Sequence, residues 1–164
     1  MALRGQGEAA ADRFHEGATA MQTTGVNRSE PMALCYLAEA LALNGAPAEG
    51  LRVVAAALAE AQASGTHWGD AELHRLRGDL LGRLPSNDQT EVETCFRTAL
   101  AVAREQGTRG FELRAAVCLA RLLSAQGRRE QARELLAPVY GWFTEGFDTT
   151  DLKDAKALLE SLDA

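Results

Sequence analysis

The sequence predicts an all-α protein: an α-α superhelix, or solenoid, of antiparallel helical hairpins closed by a capping helix. Three observations predict it. The 164 residues include 31 alanines, no isoleucine and only seven valines, a composition that favours helix over sheet. Apolar residues recur at helical spacing along most of the chain, as in Leu51, Val54, Leu58 and Ala61, or Leu113, Ala116, Ala120 and Leu123. One long period governs two independent sets of positions. Ala10, Phe14 and Gly17 correspond to Gly50, Val54 and Ala57, then to Val92, Phe96 and Ala99, then to Ala132, Leu136 and Val139, in steps of 40, 42 and 40. Ala38, Gly78 and Ala120 repeat with steps of 40 and 42. A period of this length is the mark of a stacked repeat array.

The elements follow in order. Residues 5–24 match the second helices of the later hairpins but have no first helix before them. Their apolar face, with Phe14 and Met21, therefore needs a partner: either the chain is the tail of a longer one or the face meets another subunit. First helices are expected at about 31–44, 69–84 and 110–126, and second helices at about 47–63, 89–106 and 128–141. These make hairpins over 31–63, 69–106 and 110–141. Ser29 caps and Pro31 opens the first of these helices. Gly45 and Gly127 end first helices as left-handed caps, and Pro47 starts the next helix. Pro85-Ser86-Asn87-Asp88 replaces the turn glycine in the middle hairpin and accounts for its two extra residues. Between hairpins, TGVNRSE (24–30), SGTHWGD (64–70) and QGTRGFE (106–112) share a glycine at Gly25, Gly65 and Gly107. The capping helix is expected at about 151–162, capped by Thr150 or Asp151, with Leu152, Ala155, Leu158, Leu159 and Leu162 on its apolar side.

The totals exclude several function classes. A net charge of −6 argues against a general nucleic-acid binder, which needs excess cations to displace counterions. No apolar run approaches the ~20 residues of a membrane span, and the opening MALRGQGEAAADR has no apolar core of a signal peptide. Cys35, Cys95 and Cys118 are far apart and form no CxxC, so they read as buried free thiols, and a cytoplasmic setting is expected. His15, His67 and His74 are scattered without a third ligand at metal spacing, and no metal or cofactor is expected. GQG at 5–7 lacks the preceding strand of a dinucleotide loop. Asp148, Asp151 and Asp154 lack the glycine and glutamate of a calcium loop and read as helix-capping and dipole-complementing charges. No Ser or Cys sits in a nucleophile turn, so no enzyme is expected.

The stretch CLARLLSAQGRREQARELLAPVY carries a resemblance to the tetratricopeptide repeat, in the longer-period form found in bacterial signalling proteins. The first-helix Leu-Ala-x-x-Leu pattern appears as Leu119-Ala120-Arg121-Leu122-Leu123, the turn glycine as Gly127, and the small second-helix residue as Ala132. The middle repeat departs from the pattern, with Arg77 before Gly78 and no turn glycine. AELHRLRGDLL (71–81), CFRTALAVAREQG (95–107) and LLAPVYGWFTEGFDTTDLKDAKALLESL (135–162) further resemble the C-terminal repeat region of bacterial proteins that carry a class III nucleotide cyclase domain and a STAND-type ATPase domain upstream. There is no GxxxxGK[ST] here, so the resemblance implies a sensory or scaffold module and not the enzyme.

What the resemblance implies about a site is a concave face of first helices that binds a protein or peptide, such as a cyclase or ATPase domain of the same chain or of an operon partner. Carried over position by position, that face holds Cys35 and Glu39; Glu72, Arg75 and Asp79; and Arg114, Arg121 and Ser124. An arginine pair one helix apart, Arg75 with Arg114 or Arg121, suits a peptide carboxylate. A second basic group, Arg128, Arg129 and Arg133, lies at a turn and either faces solvent or receives an anion. Four of the nine aromatic residues, Tyr140, Trp142, Phe143 and Phe147, crowd into PVYGWFTEGFDTTD at 138–151. They are expected to fill the gap between the last hairpin and the capping helix; the alternative is an aromatic pocket for a small ligand. A third alternative is self-association through the N-terminal helix.

Overall fold

The computed structural model describes residues 31–163, and every described element is helical. The helices are α1 (Pro31–Leu43), α2 (Pro47–Ser64), α3 (Asp70–Gly82), α4 (Gln89–Glu105), α5 (Arg109–Ala125), α6 (Arg129–Gly141) and α7 (Thr150–Asp163). Residues 5–24, with Phe14 and Met21, and the cap expected at Ser29 lie outside the described residues. Consecutive helices pack against one another throughout the described residues. In addition α1 touches α3, α3 touches α5 and α5 touches α7, whereas α2, α4 and α6 make no such approach to one another. The helices thus form two rows, and the row α1–α3–α5–α7 is the tighter.

The turns are built by the residues the sequence places there. Gly45, Gly65, Gly107 and Gly127 all adopt positive φ between 67° and 79°, where a side chain is strained. The α3–α4 turn uses side chains in place of such a glycine. Asn87 donates to the carbonyls of Gly82 and Leu84 at 2.9 and 3.3 Å, and Asp88 accepts from the Thr90 backbone N–H at 2.8 Å. Pro138 lies inside α6 on its exposed side, where water can serve the carbonyl left without a donor. The last helix differs from expectation by one residue. Thr149 stands at its start, accepting the Lys153 backbone N–H through its carbonyl, while its hydroxyl turns back to donate to Gly146 at 2.7 Å.

The periodic positions are the core. Gly50, Val54 and Ala57, then Val92, Phe96 and Ala99, then Ala132, Leu136 and Val139 are all buried. So are Ala38, Gly78 and Ala120. Gly78 explains itself by space: a Cβ there would meet the Phe96 ring at 2.6 Å. Gly82, four residues on, has nothing nearer than 3.9 Å. Gly78→Val is therefore expected to lower the unfolding free energy by about 1–3 kcal/mol through overpacking. Gly82→Ala should raise it by about 0.5 kcal/mol through helix propensity. Urea unfolding of the two variants checks the opposite signs.

Glu112 is buried at the start of α5, where Arg104 donates to one carboxylate oxygen at 2.8 Å and Arg109 to the other at 2.6 Å. Burial alone would push its pKa up, but the two guanidinium groups outweigh it and hold the carboxyl below its ordinary value. A carboxyl whose folded pKa is depressed stabilises the fold above its unfolded pKa. That contribution is lost as pH falls through the folded value. Unfolding measured in a series from pH 7 downward should show stability falling below about pH 4.5, with a shallower slope in Glu112→Gln. Equal slopes would mean the carboxylate is not held this way.

Candidate functional site

The tighter row carries a chain of ion pairs that crosses all four of its helices. It starts on α1 with Glu39, which accepts from Arg75 Nη2 at 2.9 Å. Arg75 on α3 also grips Glu72, one turn earlier, with Nε to Oε2 at 3.0 Å and Nη2 to Oε1 at 2.8 Å. Arg114 on α5 reaches the same Glu72 Oε1 at 3.4 Å and donates through Nε to Asp151 of α7 at 2.8 Å. One helical turn of spacing puts Glu72 and Arg75 on one side of α3, and that side faces both neighbours in the row. Near it, Arg121 of α5 pairs with Asp154 of α7 at 3.4 Å.

An open groove of about 290 Å³ lies over this chain, lined among others by Tyr36, Glu39, Val117, Cys118 and Asp154. Arg75 forms its floor. Burial works against the Arg75 charge, but the hydrogen bonds and charge of Glu72 win and hold it protonated more firmly than a free arginine. Arg114 is likewise stabilised as a cation, by Asp151 and Glu72 against the cost of burial. Cys118 Sγ lies 3.9 Å from Arg75 Nη1. Burial pushes the Cys118 thiol pKa up, and Arg75 only partly opposes it. Burial, helped by Glu72, pushes Cys35 up to about 12. Both thiols stay protonated near neutral pH and are poor nucleophiles.

The sequence-predicted face is therefore assembled in part. Glu39, Arg114 and Arg121 line the groove, with Arg75 below them. Cys35 and Glu72 do not face a partner: they are 2% and 1% exposed. Glu72 is covered because the two arginines expected to clamp a foreign carboxylate close over this internal one instead. Asp79 is held on its own helix by Arg83 at 3.0 Å, and Ser124 does not line the groove. Tyr36, Leu113, Val117, Cys118, Asp151 and Asp154 were not expected there. The two aspartates read from sequence as capping charges. Their arginine partners lie 37 and 33 residues earlier, beyond any local pattern.

The other expected features are also placed. Tyr140 and Phe143 pack against the main core cluster, while Trp142 and Phe147 stay about half exposed. Trp142 meets Phe143 edge-on with ring centroids 5.2 Å apart and carries the Arg109 guanidinium 5.0 Å from its ring centroid. The aromatic stretch thus fills the junction with two rings and leaves two at the surface. Arg128 bridges α6 to Glu93 of α4 at 2.8 Å, and Arg133 holds Asp163 of α7 at 2.6 Å. Arg129 donates to the Ser161 carbonyl. This basic group ties helices together. His67 Nδ1 lies 2.9 Å from Asp70 Oδ2. Among the described residues no helix is long and apolar enough to cross a membrane.

Comparison with protein-family models and with curated proteins returns no match.

Proposed function

We propose that this chain is a non-catalytic protein-interaction module, a superhelical array in the manner of the tetratricopeptide repeats. Its groove over α1, α3, α5 and α7 takes an extended peptide segment of a partner or of a neighbouring domain. The observation that carries the reading is the unequal spacing of the two rows. Helices that touch along one row and part along the other bend the array toward the first row, which makes that row the inner surface. The charged groove lies there, with Tyr36 about half exposed at its edge. A face built from packed helices is preformed, so a ligand loses affinity only to its own ordering. Thiols held protonated by burial favour binding over covalent chemistry at this site.

The sequence resemblance supports a setting in bacterial signal transduction, in the cytoplasm, with a cyclase or ATPase domain as the neighbour whose state the module senses. The test is selection of peptides on the purified chain from a random display library. Selected peptides should bind the wild type and lose about tenfold or more in affinity to Tyr36→Ala combined with Arg121→Glu, equivalent to about 1.4 kcal/mol. Both side chains are exposed, so the fold should tolerate the changes. Peptides that bind the double variant as well as the wild type would sink the assignment of this face.

A further inference from the structure

The groove is occupied by charges of its own chain, and that occupation differs from place to place. At its floor, Arg75 is 11% exposed and spends its donors on Glu72, Glu39 and the Cys118 sulfur. At its α7 side the pairing is open. Arg114 and Asp151 are 39% and 42% exposed, and Arg121 and Asp154 are each 54% exposed. Among the described residues Arg121 makes one hydrogen bond, at 3.4 Å, although a guanidinium carries five donors. Exposed pairs of this kind contribute little and exchange readily with other charges.

We propose that Asp151 and Asp154 are a built-in competitor for an acidic peptide: they hold Arg114 and Arg121 in the resting chain, and a partner's carboxylates replace them there. The proposal rests on the peptide-binding reading of this face and names the chemistry of the partner. Charge complementarity carries it. Along the whole chain of pairs, the carboxylates of Glu39, Glu72, Asp151 and Asp154 face the three guanidinium groups of Arg75, Arg114 and Arg121, so a resting groove disfavours an anion. Without the two aspartate charges, three guanidinium groups face the two carboxylates of Glu39 and Glu72, and the sign reverses. The exchange does not require α7 to leave. That helix is anchored separately by buried Leu152, Ala155 and Leu162, and by Arg133 on Asp163. Release of Asp151 and Asp154 is a movement of two side chains, and the array stays folded. The groove thereby responds to partners with closely spaced carboxylates, which replace both aspartates together, more than to a single charge.

The test uses a fluorescein-labelled hexaglutamate peptide and fluorescence anisotropy at low salt, with each variant first shown helical by circular dichroism. Asp151→Asn with Asp154→Asn should bind the probe about tenfold more tightly than the wild type. Glu145→Gln with Glu160→Gln removes the same charge from exposed sites outside the groove and should shift affinity by less than about threefold, the size of a long-range screened effect. Adding Arg114→Gln and Arg121→Gln to the aspartate variant should abolish the gain. Asp154→Asn alone, which leaves the start of α7 untouched, should give about threefold. A gain no larger than in the glutamate control, or one that survives loss of both arginines, overturns the competitor role. If library-selected peptides still bind the wild type through Tyr36 and Arg121 while the aspartate variant gains nothing, the peptide reading stands and this one fails.

Discussion

Glu72→Ala is expected to lower the unfolding free energy by about 3–5 kcal/mol, the cost of breaking a buried ion pair from one side. Glu72 is almost wholly buried, and it neutralises Arg75, which is itself nearly covered. Removing the carboxylate leaves Arg75 with Glu39 as its carboxylate partner, whose side chain is 43% exposed and screened by water. The Arg114 contact to Glu72 is lost as well. Urea unfolding should show a lower midpoint with an unchanged slope. The informative companion is Glu72→Met with Arg75→Leu. Removing both charges together spares the desolvation of each, so the double variant should regain most of the loss. A double variant as unstable as Glu72→Ala would mean that the ion pair contributes more than the cost of breaking it.

Leu136→Ala is expected to cost about 2–5 kcal/mol, while Leu135→Ala, one residue earlier, should cost about half as much or less. Leu136 is completely buried and belongs to the larger core cluster, with Ala132 and Val139 on the same side of α6. Truncation there leaves a cavity where α6 packs against α5 and α7, whose side chains are themselves packed and cannot collapse into it. Leu135 only leans on that cluster from a half-buried position. The pair is matched in chemistry and helix propensity, so the difference between them isolates burial. Equal losses would place the last hairpin differently from the arrangement described here.

Helix positions and core were largely legible in the sequence, and the reason is periodicity. Val54, Phe96 and Leu136 stand at one repeated position, and all three are buried because each repeat must hide the same stripe. Gly45 and Gly127 were legible as left-handed caps because only glycine adopts that backbone without strain. The site was less legible. Position-by-position transfer located Glu39, Arg114 and Arg121 in the groove, yet it put Glu72 on the same partner-binding face. Glu72 is buried because two arginines on different helices converge on it, a relation that no single helix pattern contains. Asp151 and Asp154 were missed for a related reason. Residues 151–162 read as a cap, whereas α7 also takes the fourth place in the tighter row and brings its own charges to it. Trp142 and Phe147 read as filler because large apolar rings are assumed to seek a core, and here Arg109 offers Trp142 a surface partner.

The unequal spacing of the two rows gives the molecule a direction-dependent stiffness. A bend that spreads α2, α4 and α6 parts no closely packed backbones, and the cross-link it strains is the Arg128–Glu93 pair. A bend the other way must part α1 from α3, α3 from α5 and α5 from α7, and with them the pairs that link Glu39, Arg75, Glu72, Arg114 and Asp151. The two rows therefore resist bending unequally, and parting α1, α3, α5 and α7 is the harder direction. A pull in that direction loads the charged pairs together with the packing between those four helices.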